Sequence, residues 1–265
     1  QGYVYAAKRA AAACARRLGK SARAAELDRQ AESLRQRFDR SFWCERIGSY
    51  ALALDGAKAA CEVRTSNAGH ALFTGIARPQ HAAEIAARLL RFPYYSGWGI
   101  RTVAHGEARY NPMSYHNGSI WPHDNALIAQ GLARYGYGAR IETIFDAIVR
   151  AAAHMHDRRI PELYCGFPRR PGRGPTLYPA ACSPQAWAAG APLSLLASLL
   201  GLTFDPTERV VRLINPVVPA MAGSITIRNL ALGGATVDFV IASRKGQPTL
   251  EVLRASANLR LLLEA

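Results

Sequence analysis

Long apolar runs, paired-cysteine motifs and low-complexity tracts are all missing from this 265-residue chain. No stretch reaches the roughly 18 consecutive apolar residues that a membrane span requires, and no signal peptide opens the sequence. No membrane partner is therefore expected. The five cysteines, Cys14, Cys44, Cys61, Cys165 and Cys182, are odd in number and lack Cys-x-x-Cys spacing. They imply neither a disulfide framework nor a zinc site, and fit a reducing, cytoplasmic setting. Cys165 and Cys182 lie near the segment given catalysis below, but no histidine adjoins either in sequence. Small buried residues are the better reading than nucleophilic thiols. A nucleic-acid motif is missing too, despite a formal net charge of +14. The charge is almost all arginine, spread along helices and interleaved with Glu26, Asp28, Glu32 and Asp39. Without a motif it reads as solvated helix surface, and nucleic-acid binding is a distant alternative.

What is present is a core-forming chain. At 49% hydrophobic residues it can bury one large core, or one large and one small. Its most informative stretch is residues 111–125, Asn-Pro-Met-Ser-Tyr-His-Asn-Gly-Ser-Ile-Trp-Pro-His-Asp-Asn. Two imidazoles, two aromatics, a carboxylate and three amides stand just before the apolar, helix-periodic Ala126, Leu127, Ile128 and Leu132. Local backbone cannot satisfy so many polar groups, so they are expected to face a cavity. Flat apolar faces beside forked hydrogen-bonding groups suit a sugar ring.

Periodicity divides the chain. Helices are expected over 3–18, ended by Gly19, and over 21–43, capped by Ser21 and striped by Ala24, Leu27, Ala31, Leu34 and Phe38. A hairpin is expected near 49–54, before the Asp55-Gly56 turn. Further helices follow over 67–77, 79–90, 120–135, 139–155 and 184–200. Those following polar-aromatic segments are uniformly apolar, whereas those between are amphipathic. An inner ring of buried helices wrapped by an outer ring explains this better than a four-helix bundle. From about Thr203 the runs 209–214, 224–228, 236–241 and 249–253 are β-rich. The expected organisation is mainly α, with a helical barrel over 1–202 and a small antiparallel sheet over 203–265.

The strings 110–125, Ser-Asn-Ala-Gly-His (66–70), Gly-Trp-Gly-Ile-Arg-Thr (97–102) and Pro-Glu-Leu (161–163) resemble bacterial glycogen debranching enzyme-type proteins. These belong to the amylo-α-1,6-glucosidase group of six-hairpin glycosidases. The resemblance implies a partial (α/α)6 barrel, an α-glucan or oligosaccharide substrate, and inverting hydrolysis of an α-glucosidic bond. Such hydrolysis needs two carboxyls roughly 6.5–9.5 Å apart, an acid for the leaving oxygen and a base for water.

Glu162, between Pro161 and Leu163, matches the region that carries the base. The alternative is a surface carboxylate paired with Arg158 or Arg159. The resemblance places the acid in a Gly-Trp-Lys-Asp-Ser-like string just before the opening helix, and no such string occurs here. The first residue is Gln1, followed at once by helical sequence, which suggests a piece of something longer that starts at the sixth of twelve barrel helices. The missing N-terminal half of its own barrel is then the expected partner. Asp124, on a first helical turn, would be held as an anion by the helix dipole, which suits a hydroxyl acceptor or a helix-start residue, not an acid.

Trp98, Trp121 and Trp187 are candidates to stack on sugar faces, each equally able to be core. His116 and His123 are candidate hydroxyl donors, and Arg101 a candidate to orient a carboxylate. Asn67, His70, Tyr115, Asn117 and Gln185 complete the binding set. His116 and His123 lie seven apart across a proline, which is no zinc-ligand spacing, and hexose hydrolysis needs neither metal nor organic cofactor. A carbohydrate-binding half-barrel without hydrolytic activity is the alternative function. The helix over 184–200 is expected to expose a large apolar patch in the isolated chain.

Overall fold

The structure, a computed structural model, describes residues 1–264. Seven α-helices come first, interrupted by two short hairpins. Helices α1 (Gly2–Arg17) and α2 (Ser21–Phe42) pack on each other through Ala12, Ala15, Ala24, Leu27 and Ala31. Gly19 turns the chain between them with φ +71°, a conformation open to glycine without steric cost. Ser21 is the first helical residue and Lys20 stands at the cap, so the expected serine cap is not formed: no side chain caps this end.

The strands β1 (Trp43–Cys44) and β2 (Ser49–Tyr50) pair antiparallel, as do β3 (Ala53–Leu54) and β4 (Ala60–Cys61) around the Asp55-Gly56 turn. The Asp55 carboxylate accepts from the backbone N–H groups of Ala57 and Ala59, which closes that turn. The single hairpin expected near 49–54 is thus two small ones.

Helices α3 (Asn67–Thr74), α4 (Pro79–Leu89), α5 (Pro122–Arg134), α6 (Gly138–Ala152) and α7 (Ala186–Leu199) follow. Each lies inside its expected span, except that α6 starts one residue early. Every second helix touches the next second helix, so α1, α3, α5 and α7 form a continuous row, with α2, α4 and α6 packed on its members. Gly131 of α5 permits the close approach to α3: an added Cβ would lie 2.5 Å from the Phe73 nitrogen. The core between the layers holds Leu72, Ile85, Ile100, Ile120, Ile128, Leu132, Ile141 and Leu195. Arginines on the outer faces meet acidic neighbours, as in Arg35–Glu32 at 2.8 Å and Arg9–Asp28 at 2.6 Å. Pairs so exposed contribute little stability.

Past Leu199 the core changes. Leu200 joins a second cluster with Val211, Leu213, Val237, Phe239 and Ile241. Strands β5 (Leu202–Asp205) and β6 (Val210–Ile214) pair antiparallel; β7 (Ser224–Leu232), β8 (Ala235–Arg244) and β9 (Gln247–Ala255) form an antiparallel sheet. Alternation along β8 buries Ala235, Val237, Phe239 and Ile241 on one face. The expected single antiparallel sheet needs correction. There are two three-stranded sheets, and β10 (Arg260–Glu264) runs parallel to β6. Parallel pairing needs a long crossover, here the whole of β7–β9, which no local pattern announces. Among the described residues no helix is long and apolar enough to cross a membrane.

Candidate active site

The polar-aromatic segments are stitched side by side at one end of the helical row. Isolated bridges join Arg101 to Ile120, Ile120 to Tyr164, and Tyr164 to Leu177. Two glycines let these loops cross. A Cβ on Gly166 would sit 1.7 Å from the Gly118 carbonyl oxygen, and Gly118 itself has φ +147°. Trp121 is extended and Pro122 occupies the first turn of α5, so the chain enters the helix with the ring already oriented.

Glu162 stands in this crossing and is 9% exposed, which rules out the surface-loop alternative. Its Oε1 accepts from the Tyr115 hydroxyl at 2.8 Å and from Gln185 Nε2 at 2.9 Å. Its N–H donates to the Cys182 carbonyl at 2.9 Å. Both side-chain donors are on one oxygen, and Oε2 makes no hydrogen bond to another described residue. The Tyr115 phenol is pushed up to about 12 by its bond to the Glu162 carboxylate, so it stays a donor at neutral pH. A carboxylate anchored through one oxygen keeps the other for a water or a hydroxyl.

Aromatic rings surround this carboxylate. Tyr115 meets Trp121 edge-on at 4.8 Å and Tyr178 at 5.6 Å, and the His116 ring lies parallel to Trp121 at 6.0 Å. Trp121 Nε1 donates to the Tyr115 carbonyl and to Ser119 Oγ, which locks its plane. Trp187 stacks on His123 at 4.0 Å and is 56% exposed, so much of the indole stays open to solvent. Burial lowers the His123 pKa, assisted by His70 and opposed by Asp124 and Glu162. All three of those groups lie close enough to act on this imidazole.

Asp124 is buried in the first turn of α5 and does not cap its own helix. Its Oδ1 meets His70 Nε2 of α3 at 2.5 Å, and Oδ2 is buried without a partner among the described residues. His70 Nδ1 in turn meets the Tyr3 hydroxyl of α1 at 2.7 Å. Tyr3, Asn67 and His70 line a cleft of about 580 Å³. Asn67 is exposed there at the start of α3, while Asn117 bonds through its backbone within the 111–117 turn.

Two expected binding residues point elsewhere. Trp98 is 2% exposed, faced by His154 edge-on and covered by the Arg169 guanidinium 5.0 Å from its ring centre. It is a core residue, not a stacking platform. Arg101 is 1% exposed, with Nε donating to the Gly166 carbonyl at 2.7 Å and Nη1 to that of Pro93 at 3.1 Å. Burial pushes its pKa down. This guanidinium braces two loops and does not reach a ligand carboxylate. Asn125 is similar: its amide is spent on both backbone groups of Ile100 and on the Trp121 carbonyl. Sequence reasoning missed Tyr178 and Tyr3. The first sits in a Gly- and Pro-rich loop without periodicity, and the second in an unremarkable helix, so neither carried a local signal.

A family model for the mannosylglycerate hydrolase MGH1-like glycoside hydrolase domain matches residues 1–169. No curated protein matches the sequence. Among solved structures, a sialidase aligns with a TM-score of 0.73 and 15% identity over 95% of this chain and 24% of its own. A GH78 family rhamnosidase from a Bacillus species aligns at 0.70 and 17%, over 98% of this chain and 25% of its own. The GH63 mannosylglycerate hydrolase from Thermus thermophilus, in complex with glucose, aligns at 0.54 and 21%, over 72% and 45%. At such identities the likeness is one of fold. The chain spans about a quarter of the first two and under half of the third.

Proposed function

The chain belongs to the mannosylglycerate hydrolase MGH1-like glycoside hydrolase family, and from that premise we propose that Glu162 is the general base of an inverting glycosidase site. The observation that carries this reading is the asymmetric anchoring of its carboxylate: Tyr115 and Gln185 hold Oε1, while Oε2 has no partner among the described residues. In the reaction, Oε2 takes a proton from a water as that water attacks the anomeric carbon, and the glycosidic oxygen leaves with a proton from an acid. Asp124 does not fill the acid's role, because one oxygen already pairs with His70 and the other is buried. In this proposal the acid comes from a carboxyl that these 265 residues do not supply. Trp187, His116 and His123 offer ring faces and donors to the sugar.

We read the row α1, α3, α5, α7 with its outer helices as part of an (α/α)6 barrel over 1–202, and 203–265 as a β-rich unit beside it. For the substrate, the debranching-type strings favour an α-1,6-glucosidic bond in an α-glucan. A second reading, a short α-mannoside bearing a carboxylate, is favoured by the family and by the arginines Arg169, Arg170 and Arg173. These are exposed and form no ion pair among the described residues.

The test is Glu162→Gln in the complete protein, assayed on branched maltodextrin and on mannosylglycerate. Loss of a positioned base is expected to cost about 10²–10⁴-fold in rate. Retained activity removes the assignment, and the first-formed anomer, read by NMR, tests inversion.

A further inference from the structure

Three helices of the inner row each give one side chain to a single hydrogen-bonded line. Tyr3 comes from α1, His70 from α3 and Asp124 from α5, with contacts of 2.7 and 2.5 Å. The line runs from a residue that is 55% exposed to a carboxylate that is 8% exposed. It ends on an oxygen, Asp124 Oδ2, that is buried and has no partner among the described residues. A buried, unpaired carboxylate oxygen is costly, so its position needs both a reason and something to hold it.

We propose that Tyr3 and His70 are positioning residues that fix Asp124 as a hydroxyl acceptor. The tyrosine hydroxyl donates to Nδ1, which therefore carries no proton. The imidazole proton sits on Nε2 and donates to Asp124 Oδ1. One tautomer satisfies both ring nitrogens and Asp124 Oδ1, and it leaves Oδ2 as a pure acceptor. A sugar hydroxyl, a donor with a rotatable hydrogen, is the group that completes such an acceptor. The opposite tautomer would set a lone pair of Nε2 against the carboxylate and leave Nδ1–H facing the phenol oxygen. The Asp124 carboxylate, which only accepts, selects this tautomer, and the Tyr3 hydroxyl, which can donate or accept, satisfies the Nδ1 left without a proton.

The sugar part of this inference rests on the glycosidase reading; the tautomer part does not. The experiment uses the 265-residue chain labelled with ¹⁵N-histidine, and long-range ¹H–¹⁵N spectra of His70 at neutral pH. A neutral ring protonated on Nε2 is expected, with the Nδ1 resonance moving in Tyr3→Phe. A ring protonated on Nδ1, or an imidazolium, overturns the proposal. Glucose is then titrated into each variant. His70→Ala is expected to weaken binding about tenfold, and Tyr3→Phe by a smaller factor. His70→Gln keeps an N–H for Asp124 and should stay within about twofold of the unchanged chain. Equal glucose affinity in the unchanged chain, Tyr3→Phe and His70→Ala also overturns it. If the unchanged chain shows the stated tautomer but binds no glucose, the hydroxyl-acceptor role is overturned and the tautomer line stands, while the glycosidase reading is decided separately by Glu162→Gln in the complete protein. Tyr3→Phe alters an exposed hydroxyl only, so at least that arm keeps a folded protein.

Discussion

Helices α5 and α7 carry the same kind of sequence and meet different fates. Both are apolar, follow a polar-aromatic segment and were expected to be buried on every side. Helix α5 comes close: it is wedged among α3, α6 and α7, Ile128, Ala129, Gly131 and Leu132 are inaccessible or nearly so, and its exposed positions are the polar Gln130 and Arg134. Helix α7 is more apolar yet buries only Ala188, Ala191, Leu195 and Leu199, and it leaves Leu193 72% and Trp187 56% exposed. The difference lies in which faces the neighbours cover, not in composition. Hydrophobicity states how strongly a helix favours burial; which of its faces is covered depends on elements far away in sequence.

The largest effect that separates the two helices is expected from truncation. Ile128→Ala in α5 empties a fully enclosed site and should cost about 2–5 kcal/mol in a denaturant melt. Leu193→Ala in α7 should change stability by no more than about 0.5 kcal/mol. Comparable losses at both positions would mean that the outer face of α7 is packed. Glycines give the next contrast. An added Cβ on Gly131 meets the Phe73 nitrogen at 2.5 Å, so Gly131→Ala should destabilise by about 1–3 kcal/mol. On Gly190 it meets nothing within 4 Å, so Gly190→Ala should stabilise by about 0.5–1 kcal/mol through helix propensity alone.

The smallest effect lies where the two helices touch. Trp187 of α7 covers His123 of α5, and burial lowers the pKa of that imidazole. The unfolded chain takes up the proton near the ordinary value of 6.5 while the folded chain still refuses it. This contribution to stability is therefore complete above pH 6.5 and shrinks as pH falls below it, levelling off once the folded ring is also protonated. Melts over that range should show a shallower slope for His123→Gln, and a partly reduced one for Trp187→Ala. An unchanged slope in His123→Gln would remove His123 as its source.

How much of the site was legible follows from the same logic. The segment 111–125 is contiguous, so its aromatic and polar density is visible without a structure, and Glu162 stood out between two apolar neighbours. Trp98 and Trp187 could not be told apart. Each is an indole beside small residues, and only the Arg169 guanidinium over one and open solvent over the other separate a core ring from an exposed one. Arg101 donates to a carbonyl 65 residues away and Asn125 bonds to a backbone 25 residues away. Their polar groups were visible; their partners were not.

By itself, the sequence determined the positions of the seven helices and the switch to strands near Leu202, because local hydrophobic period decides which element forms. It also determined where the chemistry-bearing side chains are concentrated. Only the tertiary structure decided which of them face outward, that β10 runs parallel to β6, and that Tyr3, His70 and Asp124 share one line. Those outcomes depend on contacts between residues far apart in the chain, and a local pattern holds no record of its distant partner.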